Sequence, residues 1–225
     1  MTVVNPSPPV IAIDGPSASG KGTVAQRVAK ALGFHYLDSG ALYRLVAVAA
    51  KQAGIAWSDE AALGPIAASL DVRFDGDEIF LNQSIATNLV RSEDASLGAS
   101  KVAVWPAVRA GLLARQKAFR AAPGLVADGR DMGSVVFPDA VLKIFLTADA
   151  ETRAERRYKQ LIGKGMGANM FALLQDIRAR DERDSQRSAA PLQKTEDAIL
   201  LDTTHLTIDA AVETVLAHYQ AVKKL

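Results

Sequence analysis

The sequence contains no cysteine. That excludes disulfides, a thiolate nucleophile and any cysteine-ligated metal. Histidine is nearly as scarce: His35, His205 and His218 are scattered along 225 residues, which argues against a histidine-built metal centre. An excess of charge is missing too. The 26 basic and 25 acidic residues leave a formal +1, so the chain lacks the basic surplus of a general nucleic-acid or membrane-surface binder. A local arginine cluster is still compatible with that balance. No run approaches the roughly 18 apolar residues needed to span a bilayer. Met1 to Pro9 carries neither an apolar signal core nor basic flanks, so the expected compartment is the cytoplasm. Internal repeats and long linkers are also lacking. With 49 % apolar residues, the length suits one α/β domain over residues 1–225 with a full core.

The pattern along the chain alternates between two periods. Residues 1–9 are proline-rich and read as a frayed lead-in. Val10 to Asp14 is a short apolar run ending at Gly15-Pro16, the mark of a buried strand. Val24, Val28 and Leu32 then recur at helical spacing, and Gly33 suits the position just past a helix end. His35–Asp38 reads as a strand and Ser39–Gln52 as a helix. Leu70, Val72 and Phe74 alternate, Asp75-Gly76 turns, and Ile79 and Leu81 alternate again, which predicts an antiparallel insert within about 66–98. Residues 100–121 read as a helix with Pro106 near its start or at a break. Strands follow at Leu125–Ala127, running into Asp128-Gly129, and at Val141–Leu146. A helix opens near Asp149. Glycines 163, 165 and 167 then interrupt two arginine-dense helices. Ile199–Leu201 is the last strand, and Ile208 to Val222 marks the last helix. Buried strands alternating with helices imply a parallel sheet flanked by helices.

Gly15-Pro16-Ser17-Ala18-Ser19-Gly20-Lys21 fits G-x-x-x-x-G-K, with a strand before it and a helix after it. Glycines let the backbone wrap a phosphate with N–H groups inward, and a helix N-terminus adds a field that favours an anion. Lys21 supplies a mobile charge for the β and γ phosphates. The strict motif continues with Ser or Thr, yet here Gly22 follows the lysine and Thr23 comes next. A direct hydroxyl ligand to Mg²⁺ is therefore missing at position 22. The ion would be held by phosphates and water, with Thr23 nearby. Gly20-x-Gly22-x-x-Ala25 also matches a dinucleotide fingerprint, and Asp38 lies near the distance of a ribose-binding acid. The first glycine of that fingerprint should directly follow the strand, and Gly20 stands well beyond Asp14.

A phosphate loop does not separate kinases from switches and motors. The guanine-reading N-K-x-D tetrapeptide of GTPases does not occur. Arg180, Asp184 and Arg187 stand at i, i+4 and i+7, so one helix face would present all three, either to a ligand or to solvent. Asp128 at a strand end would orient Mg²⁺ through water or cap the following turn. The histidines, Trp57, Trp105 and Tyr43 read as structural, packing or surface residues.

Five segments in order narrow the reading: Ile13–Ser17 (IDGPS), Leu37–Arg44 (LDSGALYR), Ala127–Gly133 (ADGRDMG), Val136–Ala140 (VFPDA) and Arg180–Arg187 (RDERDSQR). Together with the G-K-G-T form of the loop, they resemble the bacterial cytidylate kinase family of P-loop nucleoside monophosphate kinases. The resemblance runs from Val10 nearly to the end. It implies a five-stranded parallel sheet flanked by helices, a small antiparallel β insert that enlarges the monophosphate-binding region, and a short lid at 155–170. It implies that Gly15 to Thr23 bind ATP. Ser17, Ser39, Arg44, Ser100, Arg109, Arg130, Asp131, Arg180, Asp184 and Arg187 match the family's monophosphate site. Within that set Arg44, Arg130 and Arg187 would hold the acceptor phosphate. Arg109, Asp131 and Ser39 would read cytosine, and Ser100, Arg180 and Asp184 the sugar. Arg156 and Arg157 resemble lid arginines that close over the ATP phosphates, which makes Lys21, Arg130, Arg156 and Arg157 the catalytic cations. The expected reaction is γ-phosphoryl transfer from ATP, with Mg²⁺, to CMP or dCMP by a cytoplasmic monomer. Kinases for UMP or AMP stay open at this point, and so does a P-loop regulator that transfers nothing.

Overall fold

The computed structural model describes residues 7–75, 78–163 and 165–223. Residues 1–6 of the expected lead-in, Gly76 of the expected turn and Lys164 of the expected lid lie outside them. In chain order the elements are β1 (Val10–Asp14), α1 (Lys21–Leu32), β2 (His35–Asp38), α2 (Ser39–Gln52), α3 (Glu60–Ala68), β3 (Val72–Asp75), β4 (Glu78–Leu81), β5 (Ser84–Ile85), α4 (Thr87–Val90), α5 (Glu93–Val102), α6 (Pro106–Ala118), β6 (Leu125–Gly129), a π-helical turn (Met132–Val136), β7 (Leu142–Thr147), α7 (Ala150–Gly163), α8 (Met170–Gln186), β8 (Ile199–Asp202) and α9 (Ile208–Lys223). The chain divides into two compact units. One comprises residues 1–37, 118–186 and 190–225, the other residues 38–117 and 187–189.

The first unit is built on a five-stranded sheet in the order β2-β6-β1-β7-β8. β1 pairs in parallel with β6 and β7, and β7 with β8. Every residue of β1 and β6 is buried, which is why these strands read as unbroken apolar runs rather than as alternation. On one face Ile11, Ile13, Val126, Ile144 and Leu146 pack with Val24, Ala25 and Val28 of α1 and with Ala211, Val212, Val215 and Tyr219 of α9. Each of the large ones contributes about 1.5–3 kcal/mol of burial. On the other face the π-helical turn lies against the sheet, where a Cβ on Gly133 would crowd the Lys143 side chain of β7 at 3.1 Å and touch Ala12 Cβ at 3.4 Å. α1 stops at Gly33, whose left-handed backbone (φ 66°) lets its N–H and that of Phe34 reach back to the carbonyls of Lys30 and Ala29.

In the second unit Asp38, Asp59 and Ser92 each cap a helix through a side-chain oxygen, opening α2, α3 and α5. The expected hairpin is present as β3 and β4, in register from Val72↔Leu81 to Asp75↔Glu78, and β5 adds a third antiparallel strand that two residues were too few to reveal. Two expectations need correction. The helix expected at 100–121 is two: α5 ends at Val102, and α6 opens on Pro106, whose missing N–H is harmless only at a first position. Arg187 lies one residue beyond the end of α8, so that helix carries Arg180 and Asp184 but not the whole expected triplet.

Candidate active site

The loop 15–21 hangs between β1 and α1. A Cβ at Gly15 would fall on the carbonyl oxygen of Leu146 in β7, so only glycine lets the chain leave the sheet here. Gly20 adopts φ 92° at the mouth of α1, and no side chain caps that helix. The N–H groups of its first turn therefore lack a side-chain acceptor of their own and suit an anion. Ala18 holds a left-handed φ of 58°, a conformation that costs an L residue roughly 1–2 kcal/mol. Lys21 is buried, and its Nζ donates to the Pro16 carbonyl at 3.2 Å, across the loop it serves.

Gly22 has a local cause. A Cβ there would stand 3.3 Å from Asp128 Oδ2 and 3.6 Å from the Tyr36 hydroxyl. Tyr36 donates to Asp128 Oδ1 at 3.2 Å. The space that a Ser or Thr would occupy in the strict motif thus adjoins a buried carboxylate at the end of β6. Thr23 lies exposed one residue on.

β6 runs beside β1, with Gly129 opposite Asp14, and delivers Arg130 and Asp131. Arg130 Nε donates to Asp184 Oδ2 at 2.8 Å, so this structure joins two of the residues marked in the sequence. Burial alone would ease the Arg130 proton off, but the Asp184 carboxylate outweighs it, with Asp128 and Asp14 adding, and the pKa stands above its ordinary value. Asp131 is buried and opens the π-helical turn without capping it. The cap comes from Asp14: Oδ1 accepts from the Met132 N–H and Oδ2 from the Gly133 N–H, both at 2.8 Å. Desolvation pushes the Asp14 carboxyl up to about 6; the two N–H donors and Arg130 pull the other way, and Asp131 adds to the rise.

From α7, Arg156 Nη1 donates to Ser19 O at 3.0 Å and to Thr203 Oγ1 at 3.1 Å, while Nη2 reaches Thr203 O. Arg157 instead turns along its own helix to Gln160, 2.6 Å away. The sequence reading missed Arg153. It is buried, makes a two-pronged ion pair with Asp181 of α8 at 3.0 and 2.6 Å, and donates to Ser17 O. Thr203 was missed as well; its hydroxyl donates to Thr147 O at the end of β7 and contacts Ser19 O in the loop. Neither carries a spacing signal, because their partners lie far away in sequence. Asp14 and Tyr36 were present in segments already singled out, but a lone acid after an apolar strand and a lone tyrosine are not distinctive.

The second unit holds Ser39, Arg44, Ser100, Arg109 and Arg187. Asp38 both caps α2, accepting from the Ala41 N–H, and holds Arg44 Nη2 at 2.5 Å. Arg44 Nε is buried with no protein acceptor among the described residues. Ser39 and Ser100 are buried. The Arg109 guanidinium lies 5.8 Å from the Tyr43 ring centre and donates to Ala103 O. Arg187 is buried.

Comparison with known proteins bears on what this arrangement does. The model of the cytidylate kinase family matches residues 11–221. The cytidylate kinase of Chromobacterium violaceum is 61 % identical over 94 % of this chain and 96 % of its own length. That of Cupriavidus necator is 57 % identical over 99 % of both, and that of Pseudomonas aeruginosa 57 % identical over 96 % of both. Among solved structures, a gluconokinase from Sinorhizobium meliloti superimposes with a TM-score of 0.51 at 16 % identity, over 96 % of this chain and 95 % of its own, which reflects the shared fold alone. With the loop at residues 15–21, and with that identity sustained from end to end, the chain belongs to the cytidylate kinase family.

Proposed function

We propose that this chain transfers the γ-phosphoryl group of ATP to the phosphate of CMP or dCMP, giving ADP and CDP or dCDP. The observation that carries the reading is the adjacency of β1 and β6. One strand ends in the glycine-lined loop of Lys21; its neighbour ends in Arg130 and Asp131. The loop proposed for the donor and two of the residues proposed for the acceptor therefore leave neighbouring strands.

In this reading the loop N–H groups and Lys21 hold the β and γ phosphates of ATP. Lys21 would exchange Pro16 O for a phosphate oxygen, a stronger, charge-assisted acceptor. Arg44, Arg130 and Arg187 bind the acceptor phosphate, and Ser17 assists from the loop. An arginine fork suits phosphate because two parallel N–H groups meet two oxygens. Asp184 keeps Arg130 aimed. Asp131 accepts from the cytosine amino group, while Arg109 donates to the base and Ser39 helps to read it. In UMP the O4 atom would face the Asp131 carboxylate with no proton between them, which leaves a buried charge unpaired and rejects the base. Ser100 and Arg180 contact the sugar, together with Asp184.

No general base is required, because a phosphate oxygen is already nucleophilic at neutral pH. The rate comes from alignment and from cations around the spread charge of the transferring phosphoryl group. Arg156 and Arg157 contribute from α7. The buried Asp128 carboxylate against Gly22, a hard oxygen donor, fits a hydrated Mg²⁺ ion, with Thr23 close in sequence. When bound, the ion neutralises phosphate charge. A cytoplasmic monomer suits two soluble substrates and a chain that carries both residue sets itself. A coupled ADP-release assay with ATP against CMP, dCMP, UMP, AMP and GMP tests the proposal. CMP and dCMP should far exceed the rest, and equal turnover of UMP would overturn the base-reading role of Asp131.

A further inference from the structure

A turn is usually capped by the residue that opens it, and aspartate is among the best at this. Asp131 opens the π-helical turn Met132–Val136, yet its side chain makes no cap hydrogen bond. The cap is supplied from 118 residues away, where Asp14 takes the N–H groups of Met132 and Gly133 with one carboxylate oxygen each. The turn itself is tight, with the Phe137 N–H reaching the Met132 carbonyl at 2.7 Å. Single π-helical turns of this sort often mark functional sites.

The identity of residue 14 is informative. Asp14 is 8 % exposed and its charge is strongly desolvated, enough to lift its carboxyl to about 6. Asparagine would fill the same space without a charge to bury, but it offers one acceptor oxygen where this turn uses two. A carboxylate kept in such a place serves geometry at the expense of stability. Its next residue is Gly15, the first of the phosphate loop, and the N–H groups that it fixes follow directly on Arg130 and Asp131.

We propose that Asp14 is a positioning residue: by capping the 132–136 turn from the end of β1, it holds the Arg130-Asp131 segment in register with the donor loop. This inference rests on the acceptor roles given above to Arg130 and Asp131.

Asp14→Asn tests it in steady-state kinetics with ATP, CMP and UMP, alongside thermal melts. The variant loses one of two N–H acceptors, and the Arg130-Asp131 segment loses half of its tie to β1. The kcat/KM for CMP should fall roughly tenfold or more and the preference for CMP over UMP by a similar factor, with the KM for ATP within about twofold of wild type. A purely structural Asp14 would lower the melting temperature and leave the CMP-to-UMP ratio unchanged; that outcome overturns the proposal. Asp131→Ala separates the two levels. If it leaves CMP use intact, the acceptor assignment falls and this inference with it. If it cripples CMP use while Asp14→Asn is silent, only this inference falls. In the double variant the two losses should be strongly non-additive, whereas additive losses would mean independent roles. Should the asparagine variant not fold, Asp14→Ser reads the same ratio.

Discussion

The loop and the residue set proposed for donor and acceptor would solve the same problem, holding phosphate, in opposite ways. The loop is contiguous, residues 15–21, and would act through backbone N–H groups that the fold aims. Its side chains matter mainly by being small: at Gly15 Leu146 O leaves no room, and at Gly22, just past the loop, a Cβ would crowd Asp128 Oδ2 at 3.3 Å. The proposed acceptor set is dispersed from residue 17 to residue 187 and would act largely through arginines, two of which are held by a carboxylate. Arg130 leans on Asp184, Arg44 on Asp38 and the supporting Arg153 on Asp181. A backbone cradle is tolerant of base and general to nucleotides, while an aimed side-chain set can be specific.

That contrast can be broken at several points. The largest effect should come from the one side chain on which the loop depends: Lys21→Ala should lower kcat by about 10³-fold, measured at saturating CMP, with the melting temperature little changed. A loss under tenfold would mean that the backbone suffices alone.

Next comes the pH dependence of Asp14. Folding raises its proton affinity, from 3.8 to about 6, so its contribution to stability is fully present below pH 4 and is lost as pH rises through 6. Urea unfolding of wild type and Asp14→Asn should therefore show the stability difference moving by about 2.4 kcal/mol in favour of the variant between pH 4 and pH 7. A difference independent of pH would mean that the carboxylate is hydrated rather than buried.

On the acceptor side, Asp131→Ala should cut kcat/KM for CMP about 10²-fold while leaving the KM for ATP within about twofold; equal losses for both substrates would make Asp131 structural. Smallest of all, Tyr36→Phe removes one hydrogen bond from Asp128 and should cost about 1 kcal/mol, seen as a severalfold higher Mg²⁺ requirement with ATP.

The same contrast explains what could be read from the sequence. Short-range features were legible. The strand–loop–helix at 10–32, the Ser39 start of α2, the hairpin and the arginine-dense α7 and α8 all declare themselves through neighbours within a few residues. Resemblance in five segments then carried the family. Tertiary bookkeeping was not legible. Nothing near Asp14 in the chain says that its partners are the N–H groups of Met132 and Gly133, and nothing near Arg153 points to Asp181 or Ser17 O. For the helix at 100–121 the sequence left Pro106 near the start or at a break, because proline is equally at home in a kink or at a first turn; the structure breaks the helix there. Arg187 fell off α8 because helix ends are set by local competition that spacing does not register.

Asp14 and Gly15 are consecutive, so the anchor of the acceptor turn and the root of the donor loop are one peptide unit, about 3.8 Å, apart. No hinge fits inside that distance. The start of the loop and the Arg130-Asp131 segment are thus referenced to one strand end, and thermal jitter there shifts the two in step rather than against each other.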